Sequence, residues 1–368
     1  MNTNLSINIA KEEYGKDLVI DLATTKHLLV GGSTGSGKST LLHKIISTLM
    51  TNNSPEVLKF ILIDPKRVEL TLYTDIPHML TPAIIDPKKA VLAMKWAGKE
   101  IERRFDVLKK HDCKDIGVYH KTVLEPALEK YQKDASNDDD QDLSTLPETM
   151  PFVVIVADEF SDLMQIYPKE IQSAALKIAE LGQSVGVYII LSTSRMSSAI
   201  ITKPMQGAIV TRIALQTASV SDSKAIIGTS DAHTLRGKGD MIFREGLKYV
   251  IRAQVSPCTY DEAKTLVKSV CERYTEELGV NINLTPTASM ASVALGIMAG
   301  DDSLETDELY DSAREAVIAA GKASTSYIQR ALGIGYSRAA KIMDMLEEGG
   351  VIGPANGGEP RKVIRKSE

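Results

Sequence analysis

Apolar residues along the first 270 or so positions follow two alternating periods. Short continuous apolar runs, His27-Leu28-Leu29-Val30, Phe60-Ile61-Leu62-Ile63, Phe152-Val153-Val154-Ile155-Val156-Ala157 and Val187-Tyr188-Ile189-Ile190-Leu191, read as strands buried on both faces. Between them the spacing changes to that of a helix. Leu41, Leu42, Ile45, Ile46 and Leu49 form one apolar stripe, Lys88 to Lys110 predicts a long helix with Glu100, Glu102, Arg103 and Arg104 on its polar face, and Ile171 to Gly182 predicts another. Strands alternating with helices predict an α/β fold, a parallel sheet covered on both sides.

Two stretches break the alternation. Asp134 to Asp142, with Asp138-Asp139-Asp140, reads as a solvated acidic loop, and Asn281 to Asp307, rich in Thr, Ser, Ala, Gly and Asp, as a linker. Beyond it the pattern is that of a small helical module. Leu309, Ala313, Ala316, Val317 and Ala320 predict a helix closed by Gly321. Ser324 or Thr325 caps a second, carrying Ile328 and Leu332, and Ser337 caps a third, with Ala339, Ile342, Met343 and Leu346 on its apolar face. Val351-Ile352 and Val363-Ile364 then pair across an Asn356-Gly357-Gly358 turn. Three short helices and a hairpin predict a C-terminal winged helix-turn-helix. The expected organisation is residues 1–280, a linker at 281–305 and the small domain at 306–368.

Composition narrows the options. With 43% hydrophobic and 25% charged residues the chain is an ordinary globular protein, and its formal net charge of −5 excludes a uniformly basic coat, so any nucleic-acid surface is local. Cys113, Cys258 and Cys271 lack C-x-x-C spacing, which argues for a reducing compartment and against zinc. No apolar run has membrane-spanning length and Met1-Asn2-Thr3-Asn4 does not open a signal peptide, so a cytoplasmic location is expected.

The chemistry begins at the end of the first buried strand. Gly32-Ser33-Thr34-Gly35-Ser36-Gly37-Lys38-Ser39 fits G-x-x-x-x-G-K-[ST] between a strand and a helix, the context a phosphate-binding loop requires. Its glycines let successive N–H groups point at one anion, and the following helix N-terminus adds partial positive charge. Gly32, Ser33, Thr34, Gly35, Ser36, Gly37, Lys38, Ser39 and Thr40 are therefore the expected ATP-binding set. Lys38 reaches the β- and γ-phosphates, and Ser39 is an Mg²⁺ ligand. Asp158, directly after an apolar strand, is the second expected Mg²⁺ ligand, and Glu159 beside it the general base that orients water. Ser194 or Thr193, at the end of the next strand, is placed to sense the γ-phosphate. Lys66, in Asp64-Pro65-Lys66, stands at the carboxyl edge of another strand, where ligands of α/β sheets bind, although an exposed lysine is the commoner reading.

These motifs, taken in order, resemble the FtsK/SpoIIIE family of double-stranded DNA translocases. The resemblance runs through the phosphate loop, Phe60 to Lys66, Ile76-Pro77-His78-Met79-Leu80-Thr81, Glu102-Arg103-Arg104-Phe105, Val156 to Met164, Thr211-Arg212-Ile213-Ala214 and Gly237-Lys238-Gly239-Asp240-Met241. Arg330, Ile334-Gly335-Tyr336-Ser337-Arg338-Ala339-Ala340 and Gly350-Val351-Ile352 resemble the family's DNA-reading γ domain. The resemblance implies a RecA-like motor core, a homo-hexameric ring that threads duplex DNA, ATP hydrolysis between subunits and a recombinase or segregation partner. It also implies departures. Family members usually carry a membrane region and an α domain ahead of the motor, whereas this chain begins almost at the motor. The family's trans-acting arginine is matched by Gln183, leaving Lys177 or Arg212 for that role, and Ser194 stands for a sensor glutamine. Among pore positions Arg195 is kept, Lys224 replaces an arginine and Val220 a third basic residue, and Ser337 stands for an asparagine.

Charge supports a DNA surface at the C-terminus without the resemblance. Lys322, Arg330, Arg338 and Lys341 lie in a stretch free of acids, and Arg361-Lys362 and Arg365-Lys366 add cations in the expected wing. Arg338 and Lys341, near the start of the third helix and off its apolar stripe, are placed for base contacts in a major groove. The expected DNA-contacting set is Arg330, Tyr336, Ser337, Arg338, Lys341, Arg361 and Lys362, with Arg195, Lys203 and Lys224 as pore cations that track phosphates. The leading expectation is an ATP-driven pump for double-stranded DNA in chromosome, plasmid or phage segregation or transfer. An ATP-switched DNA-binding regulator or loader is the alternative.

Overall fold

The computed structural model describes residues 3–135, 146–246 and 249–277, and in the C-terminal part residues 313–314, 316–318, 322–332, 339, 342–343, 346–347, 351–353 and 361–363. Residues 136–142 of the expected acidic loop, the linker at 281–305, Tyr336, Ser337, Arg338 and Lys341 lie outside the described residues, whereas Asp134 and Ala135 end a helix. The chain divides into two compact units, residues 1–298 and 299–368.

The first unit is built on a nine-stranded sheet. Its strands are β1 (Ser6–Glu12), β2 (Asp17–Asp21), β3 (Leu28–Gly31), β4 (Leu58–Ile63), β5 (Phe152–Ala157), β6 (Val187–Thr193), β7 (Thr211–Leu215), β8 (Asp240–Glu245) and β9 (Tyr249–Val255). They lie in the order β2-β1-β9-β8-β7-β3-β6-β5-β4. The five strands from β7 to β4 are parallel, as the apolar runs predict, and β3, β5 and β6 are buried at every position. The other four are antiparallel, an extension that the strand-helix alternation did not predict. Antiparallel neighbours need no crossover helix, so this part of the chain carries no helical period to announce it.

The helices are α1 (Leu22–Thr25), α2 (Lys38–Asn52), α3 (Pro87–Lys110), α4 (Ile116–Tyr119), α5 (Glu125–Ala135), α6 (Phe160–Ile166), α7 (Pro168–Leu181), α8 (Lys203–Ala208), α9 (Val220–Ile227) and α10 (Tyr260–Glu277). The chain moves one way along the sheet from β3 to β4 and the other way from β4 through β5 to β6. Right-handed crossovers therefore place α2 on one face and α3 and α7 on the other. The packing agrees: α2 lies against α10, and α3 against α7. Asp86 starts α3, accepting the Lys88 N–H at 2.7 Å, with Pro87 in the first turn where a missing N–H costs nothing.

The α3 polar face corrects one expectation. Glu100 is only 4% exposed and Arg104 is fully buried. Arg104 donates to Glu100 Oε1 at 2.7 Å, Val185 O at 2.8 Å and Pro151 O at 2.8 Å, the last two just ahead of β6 and β5. Arg103 forks between Glu100 and Glu148 at 2.6–2.8 Å. Burial works against the Glu100 carboxylate, but Arg103 and Arg104 outweigh it and hold its pKa below the ordinary value. Periodicity reads these residues as solvated because it counts charge and cannot see a partner that permits burial.

In the second unit Ala313, Val317, Ala323, Ile328, Ala339, Ile342, Met343, Leu346, Val351 and Ile352 form one buried cluster. The Ser324 hydroxyl accepts the Tyr327 N–H at 3.2 Å at the start of the helix Thr325–Leu332. Ile352 bridges Val363 antiparallel, in line with the expected hairpin, and a second pairing joins β10 (Lys322–Ala323) to β11 (Arg361–Lys362).

Candidate nucleotide site

β3 delivers the loop Gly32–Gly37 to the carboxyl edge of the sheet, and α2 leaves it at Lys38. Gly35 and Gly37 have φ of 78° and 111°, left-handed values that favour glycine. A Cβ on Gly37 would also stand 2.7 Å from Gly239 N, so nothing larger fits there. The loop is moored on three sides. Gly32 N donates to Thr193 O at 3.2 Å, Ser33 N and Oγ both donate to Gln216 O at 2.8 and 2.9 Å, and Gly239 N donates to Ser36 O at 2.8 Å. Gln216 and Gly239 are thus part of the site's frame. Sequence reading missed Gln216, which has no motif around it, and Gly239 had only its place in a family motif.

Lys38 folds over this loop, donating from Nζ to Gly32 O at 2.8 Å and Ser33 O at 3.3 Å. Burial lowers its pKa, opposed by the negative charges of Glu159 and Asp158. Ser39 and Thr40, in the first turn of α2, are half-buried.

β3, β6 and β5 are neighbours, so the residues after each meet at one edge. Asp158 is 7% exposed and burial pushes its pKa up, helped by the charges of Glu159 and Asp64. Its Oδ1 is buried and has no hydrogen-bond partner among the described residues; Ser36 Oγ is in the same position. A buried carboxylate oxygen left unpaired at the end of β5 suits a hard divalent cation, and Asp158 and Ser39 are the residues that fit Mg²⁺.

Glu159 turns the chain from β5 into α6 with φ 47° and ψ 45°. A non-glycine residue there costs roughly 1–2 kcal/mol. Both its carboxylate oxygens are engaged: Oε2 accepts from Ser194 Oγ at 2.6 Å, and Oε1 from Lys66 Nζ at 2.8 Å. Burial raises the Glu159 pKa, but Lys66, Ser194 and Lys38 together outweigh it and hold it below the ordinary value. Lys66 is delivered by the turn after β4. There Asp64, fully buried, accepts N–H bonds from Arg67, Val68, Glu69 and Leu70 at 2.9–3.0 Å. The lysine that the sequence reads most simply as exposed is the partner of Glu159.

The remaining expected residues lie elsewhere. Arg195, Lys203 and Lys224 are exposed. Lys177 pairs with Glu102 at 2.6 Å, and Gln183 donates to Ala23 O at 3.0 Å. Arg212 directs its guanidinium to the main-chain carbonyls of Ile209, Ile226 and Gln206, which makes it an internal brace. Arg330 is exposed on the helix Thr325–Leu332, and Arg361 and Lys362 form β11.

A strand-loop-helix with Lys38 buried in it, and an acidic pair on the next strand but one, define a P-loop nucleotide-binding core. Residues 2–198 match the FtsK/SpoIIIE family and residues 304–366 match the Ftsk gamma domain. The chain belongs to the FtsK/SpoIIIE family. It is 36% identical to the DNA translocase FtsK of Treponema pallidum (strain Nichols), a match covering 98% of this chain and 42% of that protein. It is 37% identical to the DNA translocase FtsK of Leptospira interrogans (serovar copenhageni, strain Fiocruz L1-130), over 98% of this chain and 36% of that one. The chain thus spans well under half the length of these relatives. Among solved structures, the pCW3 conjugation coupling protein TcpA aligns at TM-score 0.59 and 20% identity, over 73% of this chain and 71% of that one. The cytoplasmic domain of the Thermomonospora curvata type VII secretion ATPase EccC aligns at TM-score 0.57 and 24% identity, over 73% and 31%. These two likenesses show the fold. Among the described residues no helix is long and apolar enough to cross a membrane.

Proposed function

We propose that this chain hydrolyses ATP and couples hydrolysis to movement along double-stranded DNA. The observation that carries this reading is the meeting of Lys38, Asp158, Glu159 and Ser194 at the ends of three adjacent strands in a chain that also bears a gamma domain. In this reading residues 1–280 are the motor, 281–305 a linker and 306–368 a winged-helix module that orients the motor on DNA. The N–H groups of residues 32–37 and the start of α2 hold the phosphates, with Lys38 moving from the loop carbonyls to the β- and γ-phosphates. Asp158 and Ser39 hold Mg²⁺, which neutralises developing phosphate charge when bound. Glu159 orients the attacking water and accepts its proton, and Ser194 positions Glu159.

Copies of the chain form a ring, a homo-hexamer, in the bacterial cytoplasm, and Arg195, Lys203 and Lys224 line its channel as phosphate contacts. Arg212 is committed inside its own fold, so Lys177, released from Glu102, is the better candidate for a cation reaching a neighbour's phosphates. In the second unit Arg330, Tyr336, Ser337, Arg338, Lys341, Arg361 and Lys362 face duplex DNA. The name that the relatives share, DNA translocase, supports DNA as the substrate. The test is ATP turnover with and without duplex DNA together with displacement of a triplex-forming strand. DNA-stimulated turnover with displacement is expected. Stimulation without displacement would replace the pump by an ATP-driven switch.

A further inference from the structure

The function proposed above depends on Glu159, and that carboxylate is held from two sides. Ser194 belongs to the neighbouring strand's end. Lys66 comes from the opposite side, on a turn built to present it: Pro65 ends β4, and four N–H groups fixed on Asp64 hold residues 67–70 in place. The two partners differ in accessibility. The Lys66 side chain is 48% exposed and the Glu159 side chain 10%. The ammonium can therefore swing into water at little cost, while the carboxylate stays where it is, beside Lys38 and Asp158. An oxygen that accepts a charge-assisted bond from an ammonium is a poor acceptor for a proton from water, and the lysine's stem occupies space beside it.

We propose that Lys66 is a latch on Glu159, a positioning residue that keeps the carboxylate from serving as base until the ion pair opens. This rests on Glu159 being the base of the hydrolysis proposed above. The latch restrains turnover of the chain without DNA, and rotation of the half-exposed Lys66 side chain away from Glu159 frees the base.

The experiment compares ATP turnover of the full chain, with and without duplex DNA, for the wild type and for Lys66→Ala, Lys66→Gln and Lys66→Arg. The Ala and Gln variants are expected to raise DNA-free turnover about fivefold and to keep the DNA-stimulated rate within about twofold. Lys66→Arg, which preserves the pair, behaves as the wild type. Ala and Gln variants with DNA-free turnover unchanged or reduced overturn the latch. Rescue separates it from a merely structural lysine: DNA-free turnover that rises in Lys66→Ala and returns to the wild-type rate in Lys66→Arg marks the ion pair, and a Lys66→Arg variant as active without DNA as Lys66→Ala counts against the latch. A wild type without turnover refutes the hydrolysis reading by itself. The latch is then judged by the ¹³C chemical shift of the Glu159 carboxyl at a single neutral pH, which differs between wild type and Lys66→Ala if the pair exists and is the same if it does not.

Discussion

Asp64 offers the sharpest test of how the turn beside the nucleotide site is held. Its carboxylate is fully buried and accepts four main-chain N–H bonds, one on Oδ1 from Arg67 and three on Oδ2 from Val68, Glu69 and Leu70. The four are not equal. Arg67 N also reaches Asp64 O at 3.1 Å and keeps that partner if the side chain is lost. Val68 and Glu69 lie near solvent, and water can replace the carboxylate for them. Leu70 is buried, so its N–H would be orphaned, at roughly 1–3 kcal/mol. Adding the loss of two charge-assisted bonds that water only partly restores gives about 3–4 kcal/mol for Asp64→Ala. Asp64→Asn keeps one carbonyl oxygen where Oδ2 stands and is expected to cost about 1–2 kcal/mol. The chain's one tryptophan, Trp96, lies buried on α3, so its fluorescence during urea unfolding follows the first unit alone. An Ala variant within about 1 kcal/mol of wild type, or an Asn variant as damaging as Ala, would refute the reasoning.

Other outcomes follow from the same geometry. Lys38→Ala should abolish ATP turnover while leaving DNA binding by the chain intact, and turnover that persists in a steady-state assay removes Lys38 from the site. Gly37→Ala should abolish nucleotide binding, read by a fluorescent ATP analogue, because the added methyl meets Gly239 backbone and φ is 111°. Arg104→Ala removes one of the two guanidinium partners of buried Glu100 and the donors to the Val185 and Pro151 carbonyls, and should destabilise the first unit by about 3–5 kcal/mol in the same Trp96 assay. Asp240, beside Arg252 at 2.7 Å, has its carboxyl pKa lowered to about 2; burial works against this, and Arg252 and Arg236 outweigh it. Its folded pKa lies below the unfolded one, so its stabilisation is complete above about pH 4 and fades as pH falls toward 2. Thermal unfolding of Asp240→Asn should therefore fall off less steeply than wild type across that range. Arg338→Ala should relax sequence preference by about 1–3 kcal/mol in competition binding; equal loss on every sequence would make Arg338 a phosphate contact.

What the sequence discloses depends on how local the cause is. The parallel strands β3 to β6 announce themselves because a strand buried on both faces must be apolar throughout. The phosphate loop does so because glycine spacing, lysine and flanking elements fall within one short window. The Ser324 cap and the Ile352–Val363 bridge are legible for the same reason. The contacts that finish the site are not local. Gln216 meets Ser33 across 183 positions, and Lys66 meets Glu159 only because β4 and β5 pair side by side. Arg104 was assigned to the wrong side of its helix because the carbonyls that justify its burial belong to Val185 and Pro151.

The pairing of β1 with β9 has a consequence for how the protein is made. Ala10, Lys11 and Glu12 take as partners Val255, Gln254 and Ala253. During synthesis, β1 waits until its partner β9 is translated, about 10–50 s later at ordinary elongation rates. Through that interval β1 has only β2 beside it, and a two-stranded hairpin is barely stable in water. The first unit therefore completes its sheet late, when β9 closes on β1, and until then the nascent chain carries an open strand edge of the kind that chaperones shield.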